Sequence, residues 1–339
     1  MKNFNLILTI LVFSFQILIA ASSDPVFGEN GMIVSTSKQA SEAGIEILKK
    51  GGNAVDAAVA VGFALAVTSS SNGNIGGGGF MVAAMRDGET FTLDYREKAP
   101  AAAHRDLFLN DSGDVVPGMS LSSRAGSGVP GSVDGLIRAL ADHGSGNITL
   151  RQALAPAIRL AEKGFELSHY EARRFNGYEG LFESNDAAAA IFIRKDNNPW
   201  KKGDKLVQKD LAKTLKRISK YGRDGFYSGP VADLIVAEMK RGNGLISLED
   251  LKNYSSVYRD PVSGTYNGHE VISMGPPSSG GALLVNMMNM LENYPVDSLG
   301  WNSSDYIHLL TEVERRAYAD RAEHMGDSDF WDVPLDLLT

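Results

Sequence analysis

The residues that could do chemistry in this sequence of 339 residues are few and scattered. There is no cysteine, which excludes a thiol nucleophile, disulfides and thiolate metal sites. The histidines show neither an HExxH motif nor another paired spacing typical of a metal site. They are His104, His143, His169, His269, His308 and His324. We therefore expect no metal and no cofactor.

Ser278 and Ser279 precede two glycines, which invites comparison with a serine hydrolase. The nucleophile elbow of those enzymes has the pattern GxSxG, and these serines do not fit it. We expect neither serine to be a nucleophile.

The glycine run 76–79 has two interpretations. Successive backbone N–H groups without side chains can hold a phosphate. However, no Lys-Ser/Thr pair follows, and the run leads into a predicted strand rather than a helix. A tight bend that allows another backbone segment to pack closely explains the run better.

Arg96 follows an apolar strand in the segment 93–100. A planar guanidinium can donate two parallel hydrogen bonds to a carboxylate, so Arg96 could bind an acidic substrate. A salt bridge to the neighbouring Asp94 or Glu97 is the alternative that the residue types alone favour.

Two helices are predicted near the start of the chain. Ser37 is suited to cap the first, which ends at the glycines 51–52, and Asn53 is suited to cap the second, over residues 54–67. The inward face of the first helix is predicted to carry Ala40, Gly44, Ile47 and Leu48. The second is apolar almost all round apart from Asp56, which is typical of a buried helix.

Strands are predicted at residues 31–35, at 80–84 as a buried strand, and at 90–95, the last two joined as a hairpin across Arg86-Asp87-Gly88. Helical periodicity covers 152–163, 209–221, 230–241, 283–292 and 305–321, with a strand interlude at 264–273. In the last helix we expect Ile307, Leu310, Val313 and Ala317 to face inward. The pattern predicts a mixed α/β protein of one domain.

Residues 1–21 consist of a short charged start, an apolar run and small residues, which is typical of a secretory signal peptide. A membrane anchor is the alternative, but the apolar run is short for one. The domain is then expected over residues 22–339. The net charge of −8 and the lack of a basic cluster argue against nucleic acid as a partner.

Eight short strings together resemble the gamma-glutamyltranspeptidase family, in the order in which that family has them. They are 51–60 (GGNAVDAAVA), 74–81 (NIGGGGFM), 94–100 (DYREKAP), 129–135 (VPGSVDG), 160–165 (LAEKGF), 225–229 (GFYSG), 276–281 (PPSSGG) and 317–321 (AYADR). The resemblance runs from about Gly31 to the final residue and corresponds to the large subunit of a bacterial-type precursor.

This resemblance implies the N-terminal-nucleophile hydrolase fold, an α+β four-layer sandwich completed by a small subunit that the precursor releases by autoproteolysis. It implies an acyltransferase and hydrolase that cleaves glutathione and other γ-glutamyl compounds through a γ-glutamyl-threonine ester, which water or an amino acid or peptide acceptor then opens. We expect an exported enzyme of glutathione catabolism, periplasmic or extracellular.

Of the family's substrate residues, the resemblance carries over only Arg96, whose counterpart binds the glutamyl α-carboxylate. We interpret the sequence as ending before the family's nucleophilic threonine, so no catalytic residue is assigned within it and the chain alone is expected to be inactive. Residues 68–71 (TSSS) depart from the His-Pro that bacterial relatives often have, which leaves the role of that loop open. Alternatives are a cephalosporin-acylase or poly-γ-glutamate-processing relative, and a non-catalytic exported binding or scaffold fragment.

Overall fold

The structure is a computed structural model that describes residues 25–339. Residues 25–34 contain no helix or strand. Residues Ser35–Thr339 form one compact unit. The predicted signal peptide at residues 1–21 lies outside the described residues, and none of the described helices is long and apolar enough to cross a bilayer.

Helices and short strands alternate along the compact unit, which confirms the mixed α/β class. The helices are α1 Lys38–Lys49, α2 Ala54–Thr68, α3 Met119–Ser122, α4 Ser132–His143, α5 Leu150–Lys163, α6 His169–Gly177, α7 Glu179–Glu183, α8 Asp186–Phe192, α9 Lys209–Tyr221, α10 Asp224–Tyr227, α11 Pro230–Arg241, α12 Leu248–Asn253, α13 Gly280–Leu291, α14 Ser304–His324 and α15 Leu335–Leu338. The strands are β1 Phe80–Ala84, β2 Thr90–Asp94, β3 Phe165–Glu166, β4 Lys205–Leu206, β5 Val257–Arg259, β6 Val262–Tyr266 and β7 His269–Ser273.

The two predicted N-terminal helices are confirmed, together with their caps. The Ser37 hydroxyl accepts a hydrogen bond from the backbone N–H of Ala40 at the start of α1. Asn53 and Asp56 form a reciprocal capping box at the start of α2. Asp56 is fully buried, and α2 packs between α1, α4 and α5. The apolar surface of α2 therefore forms the centre of the core.

A three-stranded antiparallel sheet in the order β1-β2-β5 lies beside this core. Strands β1 and β2 form the predicted hairpin, with Phe80 opposite Asp94 and Ala84 opposite Thr90. Strand β1 is only half-buried, with Val82 43% exposed, so the prediction of a buried strand there was wrong. The reason is that β1 is an edge strand, with β2 as its one neighbour among the described residues.

The later elements largely follow the predicted periodicity. Helices α9 and α11 have the predicted bounds, and the interlude at 264–273 is a hairpin of β6 and β7. In α14, Val313 and Ala317 are buried as predicted, but Ile307 is 52% exposed and does not face inward among the described residues.

The strand predicted at residues 31–35 is absent from the structure. A strand needs a neighbour to take up its backbone N–H and C=O groups, and the sheets of the described chain are built from other segments. A five-residue apolar run therefore did not suffice to predict a strand.

Candidate functional site

Arg96 lies two residues beyond the end of β2, and its side chain is exposed. The guanidinium forms no ion pair with any residue that the structure describes, and its carbon lies 5.9 Å from the centre of the Phe80 ring. The predicted alternative of a salt bridge to Asp94 or Glu97 is therefore wrong for the described chain. The forked donors of Arg96 are free to bind an anion from outside.

Asp94 is engaged elsewhere, which explains why it does not pair with the Arg96 side chain. Its carboxylate is almost completely buried, and Oδ2 accepts a hydrogen bond of 2.8 Å from Nε of Arg259 on β5. Its other oxygen, Oδ1, accepts the backbone N–H of Arg96 at 2.9 Å. Asp94 therefore holds the backbone of Arg96 and leaves the side chain free.

Arg259 connects this carboxylate to a second one. Its Nη1 donates to Oδ1 of Asp329 at 2.9 Å and to the hydroxyl of Ser328 at 3.2 Å. The hydrogen bond from Arg259 lowers the pKa of Asp329 below its usual range, and the same two carboxylates raise the pKa of Arg259. The charge of Arg259 is thus balanced within the protein, in contrast to that of Arg96.

The glycine run 76–79 packs against the backbone of the segment that contains Arg96. The carbonyl of Gly77 accepts the N–H groups of Gly131 and Ser132, at 2.8 and 2.9 Å. A Cβ at Gly78 would lie 2.5 Å from the carbonyl oxygen of Tyr95. The interpretation of the run as a bend for close backbone packing is confirmed, because the approach of residue 95 leaves no room for a side chain.

The segment 129–135 braces the other side of Arg96. Lys98 and Val129 exchange two backbone hydrogen bonds, of 3.2 and 2.7 Å. A Cβ at Gly131 would overlap both the Tyr95 carbonyl oxygen and the Tyr254 hydroxyl. The glycine is required here because three chain segments meet at one point.

Asp134 anchors the segment 129–135 to the rest of the domain. Its Oδ1 accepts Nε of Arg223 at 2.8 Å, and its Oδ2 accepts the N–H and the hydroxyl of Ser256, at 2.8 and 2.7 Å. The Tyr227 hydroxyl donates to the carbonyl of Pro130 at 2.7 Å. Sequence reasoning found the string that contains Asp134 but assigned no role to it.

Tyr254, like Arg259, is a residue of this site that sequence reasoning missed entirely. It is 4% exposed, and its hydroxyl donates to the carbonyl oxygen of Arg96 at 2.8 Å. Its ring stacks on that of Tyr227, with the centres 5.8 Å apart and the planes 4° from parallel. Burial raises the pKa of Tyr254 well above its usual value, so the hydroxyl stays protonated and able to donate. No signal in its neighbourhood of the sequence, 252–256, points to this contact.

The other candidate residues form no catalytic group among the described residues. The hydroxyl of Ser278 accepts the N–H of Gly280 at 3.3 Å, and that of Ser279 accepts Nε of Arg321 at 3.0 Å. His143 stacks on the ring of Phe91, with the centres 3.7 Å apart. Neither serine has a histidine as a hydrogen-bond partner in the part of the chain that the structure describes, so neither is activated in the way a serine nucleophile requires.

The hydroxyl-rich loop that follows α2 bonds mainly to its own backbone and side chains. Thr68 donates to the carbonyl of Ala64 at 3.1 Å, and Ser69 donates to Oδ1 of Asn72 at 2.5 Å. The hydroxyl groups of Thr68 and Ser69 are therefore satisfied locally.

Known proteins resemble the chain over nearly its whole length. A glutathione hydrolase proenzyme from Escherichia coli (strain K12) is 45% identical over 315 residues, which are 93% of this chain and 54% of that protein. One from Pseudomonas sp. (strain A14) is 47% identical over 317 residues, which are 93% of this chain and 55% of that protein. The chain thus spans about half the length of these curated relatives.

The solved structure of gamma-glutamyltranspeptidase from Helicobacter pylori superposes with a TM-score of 0.90 at 44% sequence identity, covering 93% of this chain and 90% of that chain. This neighbour confirms the expected class, the α+β fold of the N-terminal-nucleophile hydrolases. Residues 40–339 match the gamma-glutamyltranspeptidase family model, and the chain therefore belongs to that family.

Proposed function

We propose that the complete protein cleaves glutathione and other γ-glutamyl amides and passes the γ-glutamyl group to water or to an amino acid or peptide. The observation that carries this proposal is the state of Arg96. Its guanidinium is exposed and has no ion-pair partner among the described residues, while its backbone is held on both sides. Such a cation is suited to bind the α-carboxylate of a γ-glutamyl group.

The nucleophile we propose is a threonine of a small subunit and not a residue of the described chain. In the family, the freed α-amine of a threonine at the start of the small subunit activates its own hydroxyl, which attacks the γ-glutamyl amide. The proposed partner is therefore a small subunit made from the same precursor. The relatives support this, because both named above are called proenzymes and both are longer than the matched segment.

We also propose export of the protein to the periplasm or beyond the cell. The composition of residues 1–21 supports this proposal. N-terminal sequencing of the exported protein tests it, since an intact Met1 would contradict cleavage near residue 21.

The role of Arg96 is tested by kinetics on the complete gene product with a γ-glutamyl amide. Arg96→Ala should reduce kcat/KM by a factor that corresponds to a loss of roughly 2–5 kcal/mol in transition-state binding, because it removes a charge-assisted pair. Arg96→Lys should recover only part of this, since it keeps the charge but loses the fork. Tm should change little, because the guanidinium has no partner among the described residues.

Arg86→Ala is the matched control. Arg86 is also exposed, but it lies at the turn of the β1–β2 hairpin, at the opposite end from Arg96. An unchanged kcat/KM in Arg96→Ala would refute the proposed role. A large fall in Tm would instead assign Arg96 to the fold. If the complete product cleaves a glutaryl or cephalosporin amide but not a γ-glutamyl amide, the acylase alternative is correct.

A further inference from the structure

The backbone of Arg96 is held in an unusual way: both of its polar groups are bonded to buried side chains from other positions. Its N–H donates to Oδ1 of Asp94 at 2.9 Å, and its C=O accepts the hydroxyl of Tyr254 at 2.8 Å. Residue 96 lies outside the strand ladder, so these two contacts replace the pairing that a neighbouring strand would give.

Both side chains are themselves fixed. Asp94 is 6% exposed, and its second oxygen is bonded to Arg259. Tyr254 is 4% exposed and stacked on Tyr227. Buried side chains with satisfied hydrogen bonds have few alternative rotamers, so these two contacts restrict the peptide units on either side of Arg96.

The Tyr254 hydroxyl occupies space that a side chain at residue 131 would otherwise fill. A side chain at Gly131 would overlap this hydroxyl, and Gly131 is itself bonded through its N–H to the carbonyl of Gly77. Gly131, the Tyr254 hydroxyl and the Arg96 carbonyl therefore meet at one point.

We propose that Tyr254 and Asp94 are positioning residues, which fix the backbone of Arg96 so that its guanidinium meets the substrate carboxylate in one orientation. This inference rests on the substrate-binding role proposed above for Arg96. An arginine side chain has several rotatable bonds, and fixing them costs entropy. Two parallel hydrogen bonds to a carboxylate are therefore more favourable when the backbone of the arginine is already held in place. Neither residue needs to touch the substrate.

The test is Tyr254→Phe in the complete gene product, because this variant removes one hydroxyl and keeps the stacked ring. We expect KM for a γ-glutamyl amide to rise roughly threefold to tenfold, with kcat nearly unchanged, because a binding contact is weakened equally in the ground and transition states. In the Arg96→Ala background the same substitution should change kcat/KM less than twofold, since the residue through which it acts is gone.

Tyr258→Phe is the matched control, because it also removes one hydroxyl hydrogen bond, to Oδ2 of Asp142 at 2.9 Å, and that hydroxyl donates to none of residues 94–98. It should leave KM unchanged. A Tyr254→Phe enzyme with wild-type KM would overturn the inference, as would an equal loss with and without Arg96. If Arg96→Ala itself has no effect, the proposed function of Arg96 fails instead.

Hydrogen exchange of the wild-type protein gives a result that does not depend on any variant folding. The amide of Arg96 should exchange much more slowly than the exposed amides of the β1–β2 turn, because Asp94 accepts it in a buried setting. Exchange at the rate of an open loop would show that the backbone of Arg96 is not held and would overturn the inference.

Discussion

Asp134 offers the sharpest test of how the site is held in place, because one buried carboxylate joins three segments. Its side chain is 10% exposed, and it accepts one hydrogen bond from Arg223 and two from Ser256. We expect Asp134→Ala to destabilise the protein strongly. Ser256 is 1% exposed, so water cannot take the place of the lost acceptor.

The magnitude follows from the groups left without a partner. An unsatisfied buried donor costs about 1–3 kcal/mol, and loss of a charge-assisted bond costs about 1.5–3 kcal/mol. Arg223 is 31% exposed and recovers part of its loss by hydration, and its Nη2 keeps a bond of 3.0 Å to the carbonyl of Lys252. We therefore expect a total of about 3–5 kcal/mol, as for a broken buried ion pair. For a domain of this size that lowers Tm by about 5–8 °C.

Thermal unfolding followed by circular dichroism measures this effect, with Asp142→Ala as the matched control. Asp142 lies on the same helix, α4, and also accepts a hydrogen bond from a tyrosine and forms an ion pair with an arginine, but its side chain is 45% exposed. Its removal should cost no more than about 1 kcal/mol. If Asp134→Ala lowers Tm no further than Asp142→Ala does, the reasoning from burial is refuted.

Two further predictions concern the brace and the chain as a whole. Gly131→Ala should lower the free energy of unfolding by about 3 kcal/mol or more, because its Cβ would overlap Tyr95 and Tyr254. Gly177→Ala is the control: it lies on helix α6 with open space around it and should leave Tm unchanged or slightly raised. Equal Tm values for the two variants would contradict the overlap. The polypeptide 1–339 expressed alone should neither cleave itself nor hydrolyse a γ-glutamyl amide, and turnover by that pure polypeptide would direct attention back to its serines.

Much of the fold could be predicted because the local signals agree with the tertiary structure. Helix α9 ends where Gly222 follows it, and α11 begins at Pro230, so the predicted bounds match those observed. The predictions failed where contacts with other parts of the chain decide whether a residue is buried. Ile307 has the periodicity of a buried residue, yet about half of its surface is exposed in the described chain, and β1 is half-exposed where it lies at the edge of the described sheet.

The site itself was predictable only in part, since its contacts join residues distant in the chain. Sequence reasoning could place Arg96 at the end of a strand, but its neighbours Asp94 and Glu97 suggested a local salt bridge. The partner of Asp94 is Arg259, 165 positions away, and that of the Arg96 carbonyl is Tyr254, 158 positions away. Adjacency in sequence could not reveal either contact.

The charge arrangement explains why Arg96 in particular remains available for a ligand. Asp94 is neutralised by Arg259 within the protein. Glu97 is directed toward the glycine run, where its Oε1 would lie 3.1 Å from a Cβ at Gly77, so neither adjacent carboxylate is paired with the guanidinium. A cation that has two acidic neighbours and pairs with neither can gain a full charge-assisted contact from an incoming carboxylate without first breaking one of its own.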